Sequence, residues 1–87
     1  MQLNLDPMRF EEQQALLVRE LVQSIRVKLQ EAGLTGAKLE ELTASIAFSV
    51  ASTIDDTAAI EVDGAEVHPY LTFRTSDDAL THGGENS

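Results

Sequence analysis

The 87-residue chain is 43% hydrophobic and 24% charged, carries a net charge of −9 and contains no cysteine. Those values describe one small folding unit and exclude a wholly disordered chain, a disulfide scaffold, thiolate metal sites and a cysteine nucleophile. The excess acid argues against phosphate neutralisation, hence against nucleic acid or an anionic membrane as partner.

The charge is uneven along the chain. Up to Lys38, bases and acids balance; beyond it, Arg74 alone faces ten acids. Such a half favours basic partners and fast encounter with them, or simply keeps the protein dissolved. The first residues, `MQLNLDPMRFEEQQ`, show no basic and then apolar leader, and no stretch approaches the length of a membrane span. A soluble, cytoplasmic protein is expected.

`LDPMRFEE` has the form of a helix start. Asp6 can accept a backbone N–H as N-cap, and Pro7 suits the first helical position, where its missing N–H costs nothing. Ala15, Val18, Val22, Ile25, Leu29 and Ala32 then recur at spacings of three and four, a helical stripe. Arg19 and Arg26, seven apart, share a flank of this helix and can meet acids of a second copy or remain solvated. Gly33 supplies the left-handed residue of a helix stop, pairing Leu29 with Leu34 across it. Thr35 caps the next helix, with Leu34 and Leu39 as its hydrophobic staple. So short a connection predicts an antiparallel helical hairpin.

The second helix is expected over Gly36–Ile54. Leu39, Leu42, Ile46, Val50 and Ile54 form its main stripe, while Ala37, Ala44, Phe48 and Ala51 give the opposite side an apolar character as well. A helix apolar on two sides should be covered on two sides.

Asp55, Asp56 and Thr57 form a turn. Beyond it, `AAIEVDGAEVHPYLTFRT` alternates around Asp63-Gly64, the strongest short signal for a type I′ hairpin. That turn opposes Val62 to Ala65, Glu61 to Glu66 and Ile60 to Val67. It places Ile60, Val62, Ala65, Val67, Leu71 and Phe73 on one face, expected to rest on Phe48 and the alanines. Glu61, Glu66, His68, Tyr70, Thr72 and Arg74 occupy the other. Pro69 marks an edge or a bulge. Residues 76–87 are expected to form a flexible polar tail.

The expected fold is therefore α+β: an antiparallel helical hairpin followed by a two-stranded β-hairpin (ααββ), in a single domain over residues 1–75. Two helices and one ribbon make a thin object, so completion by homodimerisation is expected. Phe10, Leu17, Leu21 and Phe48 are the candidate oligomer interface.

Chemistry is sparse. Glu61 and Glu66 could share a proton or, with Asp63, hold a divalent cation, but a hard-cation site needs six or more oxygens. His68 lacks converging ligands for a metal. Ser45, Ser49 and Ser52 have no base beside them, and no phosphate-binding loop or zinc spacing occurs. No cofactor, metal or catalytic residue is expected. The candidate protein-contact residues are Glu61, Asp63, Glu66, His68, Tyr70 and Arg74. The sequence thus points to a small acidic self-associating accessory protein without catalysis. The alternative is an inhibitor or immunity-type protein that engages a basic partner, such as a nuclease, through its acidic second half.

Overall fold

The computed structural model describes residues 1–84. The elements run β1 (Gln2–Leu5), α1 (Pro7–Glu31), α2 (Gly36–Ile54), β2 (Glu61–Val62), β3 (Ala65–Glu66), β4 (Phe73–Ser76) and β5 (Ala79–His82). The class is α+β with two helices, as expected, but five strands replace two. They form a three-stranded sheet, β1-β5-β4, and the separate hairpin β2-β3.

The helical hairpin follows its local signals closely. The Asp6 carboxylate accepts the Arg9 N–H at 3.1 Å, and Pro7 opens α1. At the other end Gly33 takes φ +97°, the Leu34 N–H reaches the Leu29 carbonyl and the Gly33 N–H reaches Gln30. Those two bonds are the Schellman stop, and only a residue free of a Cβ adopts that φ without strain. Thr35 occupies the N-cap of α2 with extended backbone, but its side chain makes no capping bond. Across the pair, Arg26 grips Glu40 through Nε and Nη2 at 3.1 and 3.0 Å. Arg26 thus finds its acid within its own chain. Because the pair is exposed, it contributes no more than about 1 kcal/mol.

The buried line of α2 is Leu39, Thr43 and Ala47, a strict i, i+4 row. The expected stripe is rotated: Ala47 lies within it, whereas Ile46 is exposed. Thr43 satisfies its buried hydroxyl by donating to the Leu39 carbonyl at 2.7 Å. The opposite side of α2 is not covered, and Phe48 is 74% exposed. The expectation that the β-hairpin rests there is not met: both strands of β2-β3 are exposed along their whole length, Val62 included, as is Val67 just beyond β3.

The three-stranded sheet overturns the expectation of a flexible tail. β5 is its central strand, parallel to β1 and antiparallel to β4. Ala79 and Thr81 are buried, and Thr81 is the most enclosed large side chain. The polar look of `SDDALTH` arises because Asp77 and Asp78 make the turn between two strands, while the alternate Ala79 and Thr81 face inward. Residues 85–87, part of the same expectation, lie outside the described residues. Phe10 packs on Phe73 with ring centroids 5.3 Å apart. Gly83 permits this, since a Cβ there would stand 2.7 Å from Phe10 Cδ1. Phe10, expected at an interface between copies, therefore has an intramolecular partner. The sheet has one covered and one open face. Ala79, Thr81 and Phe73 lie on the side of α1, and Leu3, Leu5 and Leu80 share the other.

The whole is open for its mass. It exposes 6284 Å², where a compact monomer of 9.5 kDa exposes about 5,000 Å². Its radius of gyration is 15.6 Å, against about 12 Å for a compact chain of this length.

Candidate protein-contact surface

The end of α2 builds the most organised polar cluster. Asp55 is the C-cap and its Oδ1 accepts the Thr57 N–H at 3.0 Å, an Asx turn. Asp56 takes φ +66° and the Thr57 N–H also reaches the Ser52 carbonyl. This repeats the outer bond of the first helix's stop, with aspartate in the left-handed position where the first helix uses glycine; Asp tolerates the left-handed region better than most residues. The turn reading of these residues holds. The left-handed turn also swings the Asp56 carboxylate toward the hairpin.

Its partner there is His68. Nδ1 lies 3.1 and 3.0 Å from the two Asp56 carboxylate oxygens, and Nε2 lies 3.1 Å from Glu66 Oε2. Ionised carboxylates only accept, so both ring nitrogens must donate for both bonds to form. That requires the imidazolium. The hydrogen bonds to Asp56 first and Glu66 second, with the charges of both, raise the His68 pKa above its ordinary 6.5. The ring is open to water, so the clasp is a surface feature. A cleft of about 210 Å³ lies beside it, bounded by Asp56, Thr57, Ile60, Glu61, Glu66 and His68.

The β-hairpin has the expected turn and register. Asp63 and Gly64 take φ +50° and +81°, Glu61 opposes Glu66, Val62 opposes Ala65, and the Val67 N–H continues the ladder to the Ile60 carbonyl. The two glutamates therefore face one another on an exposed strand pair, with Asp63 at the tip. His68 engages Glu66, so this acid is not left to repel Glu61 alone. Among the described residues, no group of three or more metal-ligating side chains is arranged to hold an ion.

The single contact face read from the sequence is divided in two. The hairpin ladder stops ahead of Pro69, which has no N–H to give, and strand structure resumes only at Phe73. Tyr70 turns to the three-stranded sheet instead. Its hydroxyl bonds the Gly84 carbonyl and lies 2.6 Å from His82 Nδ1. One hydroxyl proton cannot serve both, so it goes to the carbonyl and His82 Nδ1 donates to the phenol oxygen. Arg74 lies in β4 and donates from Nη1 to the Asp77 carbonyl at 3.2 Å. Glu61, Asp63, Glu66 and His68 thus share one end of the molecule, and Tyr70 and Arg74 belong to the sheet.

Of the candidate interface residues, Leu17 and Leu21 line a small crevice closed by Ala51 and Ile54 of α2 and by Leu71. Phe48 remains open to solvent, beside Ser52, Thr53 and Ala58. Asp56 and His82 were missed as partners. The pairs are twelve residues apart in each case, and nothing local in the sequence announces them. No helix among the described residues is long and apolar enough to cross a membrane. No protein-family model matches this chain, and no curated protein or solved structure matches it.

Proposed function

We propose that this protein is a small, acidic, cytoplasmic accessory protein that self-associates and acts through protein contact, without catalysis. The observation that carries the reading is area. The chain exposes roughly 1,200 Å² more than a compact monomer of its mass should, and a stable interface removes about 800 Å² from each partner. The excess includes Leu3, Leu5, Met8, Leu16 and Phe48, each more than half exposed. Light scattering on the purified chain at micromolar concentration tests this. A species of twice the 9.5 kDa chain mass is the expected result; a single 9.5 kDa species across the accessible range overturns it.

A second reading is an inhibitor of a basic partner. It is favoured by the gathering of Asp56, Glu61, Asp63 and Glu66 at one exposed end. Binding of this kind weakens steeply with added salt and with Glu61→Gln plus Asp63→Asn. Affinity indifferent to both rules it out.

A further inference from the structure

The two edges of the three-stranded sheet are unlike. The β4 edge carries a register shift between Arg74 and Ser76, a cation at Arg74 and the acids Asp77 and Asp78 immediately after it. Kinks and charges of this sort keep an edge from pairing. The β1 edge has neither. Its four residues, `QLNL`, are uncharged, contain no proline or glycine, keep an unbroken register with β5 and are all exposed. In a chain of net charge −9, two copies repel one another least where neither carries charge.

The hydrogen-bonding groups on that edge are already sorted. Gln2 and Asp6 donate toward β5, to the Asp78 and His82 carbonyls. By the alternation of a strand, Asn4 turns the same way, and Leu3 and Leu5 direct their N–H and C=O groups outward. Leu3 and Leu5 also share the open face of the sheet, as their register with Leu80 and His82 requires.

We infer that β1 pairs antiparallel with β1 of a second copy about a two-fold axis at Leu3. The result is a continuous six-stranded sheet, β4-β5-β1-β1-β5-β4. This rests on the self-association proposed above and names the surface that performs it. In this register each Leu3 opposes its counterpart, exchanging two backbone bonds, and Leu5 opposes Met1. Gln2 opposes Asn4 on the other face. Apolar residues meet apolar and polar meet polar across the junction, which is the condition for a specified register. A slip of one residue sets outward-turned groups of one copy against groups of the other that are committed to β5, so no ladder forms. A slip of two centres the axis on Asn4 and carries Met1 across Pro7, where α1 leaves the strand and no N–H is available.

The absence of cysteine makes the test clean. Single variants Leu3→Cys, Asn4→Cys and Phe48→Cys are oxidised under mild conditions, and covalent dimer is read on a non-reducing gel. Opposed residues of a hydrogen-bonded pair stand about 5.5 Å apart, within disulfide reach, so Leu3→Cys should cross-link and the other two should not. Independently, Leu3→Pro removes the outward N–H while leaving the bonds to β5 in place. It should weaken dimerisation roughly tenfold or more by light scattering, with an unchanged far-ultraviolet circular dichroism spectrum. A dimer that cross-links through Phe48→Cys instead, or that survives Leu3→Pro undiminished, overturns the β1 pairing and leaves self-association standing; cross-linking through Asn4→Cys instead overturns the axis at Leu3 in favour of the slipped register centred on Asn4. A wild-type chain that stays at 9.5 kDa overturns both.

Discussion

The two β regions of this chain are held by different means. The β2-β3 hairpin is stabilised locally: both of its turn residues sit in the left-handed region, its ladder is short, and every strand residue is exposed. The β1-β5-β4 sheet has weak turn chemistry, but it contains buried residues, an aromatic pair and a helix on one face. A strong turn signal fixes which residues oppose one another; it says nothing about whether anything covers them. Between these two β regions, burial, which supplies most of the free energy of folding, falls to the one whose sequence announces itself least.

The largest expected effect falls on the sheet. Ala79 is 8% exposed in the central strand, so Ala79→Leu should cost about 1–3 kcal/mol through overpacking. Urea unfolding at fixed protein concentration measures it. If that variant unfolds like the wild type, the sheet does not anchor the fold and the contrast between the regions collapses. In the hairpin, Gly64→Ala places a side chain at φ +81° and should cost about 1–2 kcal/mol. That cost should stay local. Amide exchange at Val67, whose N–H closes the ladder on Ile60, should accelerate while the urea midpoint hardly moves. A full shift of the midpoint would show the hairpin to be coupled to the rest.

Smaller effects probe the one link between hairpin and helices, the His68 clasp. Asp56→Asn keeps a side chain that tolerates φ +66° but removes the charge, and should return the His68 pKa toward its ordinary value, read by proton NMR titration. Asp56→Gly should do the same while relaxing the backbone. If neither variant lowers it, Asp56 is not the principal cause. The sign of the pH dependence follows from the direction of the shift. A histidine whose pKa is raised on folding contributes fully below its unfolded value near 6.5, and the contribution fades as pH rises through the folded value. The Glu66 and Asp56 contacts should therefore loosen as pH rises above 6.5 and through the raised folded value, visible as faster exchange in residues 56–68. Loosening on acidification from neutrality to pH 6 would contradict the assignment.

Much of the helical half was legible because its signals are short-range. Asp6-Pro7, the Leu29–Gly33–Leu34 stop and the limits of α2 all depend on residues within one or two turns. The Asp63-Gly64 register was legible for the same reason. The sheet was not. β1 is four residues of alternating polarity ahead of a helix cap, too short for periodicity to identify alone. β5 hid behind two turn-forming aspartates, and its partner on one side lies at the opposite end of the sequence. Extending the hairpin strand to Thr75 ignored how decisively Pro69 ends a ladder, and so joined Arg74 to a face it does not share. The His68 clasp needed the left-handed Asp56, a conformation more readily assigned to glycine.

The direct pairing of β1 with β5 also has a consequence in time. During synthesis α1 and α2 can close on each other as soon as both have emerged, whereas β1 has no strand to join until Ala79–His82 follow. Contacts between residues so distant along a chain form slowly. For that interval β1 is an uncharged strand with both edges free. A neighbouring nascent chain then offers it an identical strand before its own β5 exists, and the order of the two pairings would decide whether copies meet before or after each has finished folding.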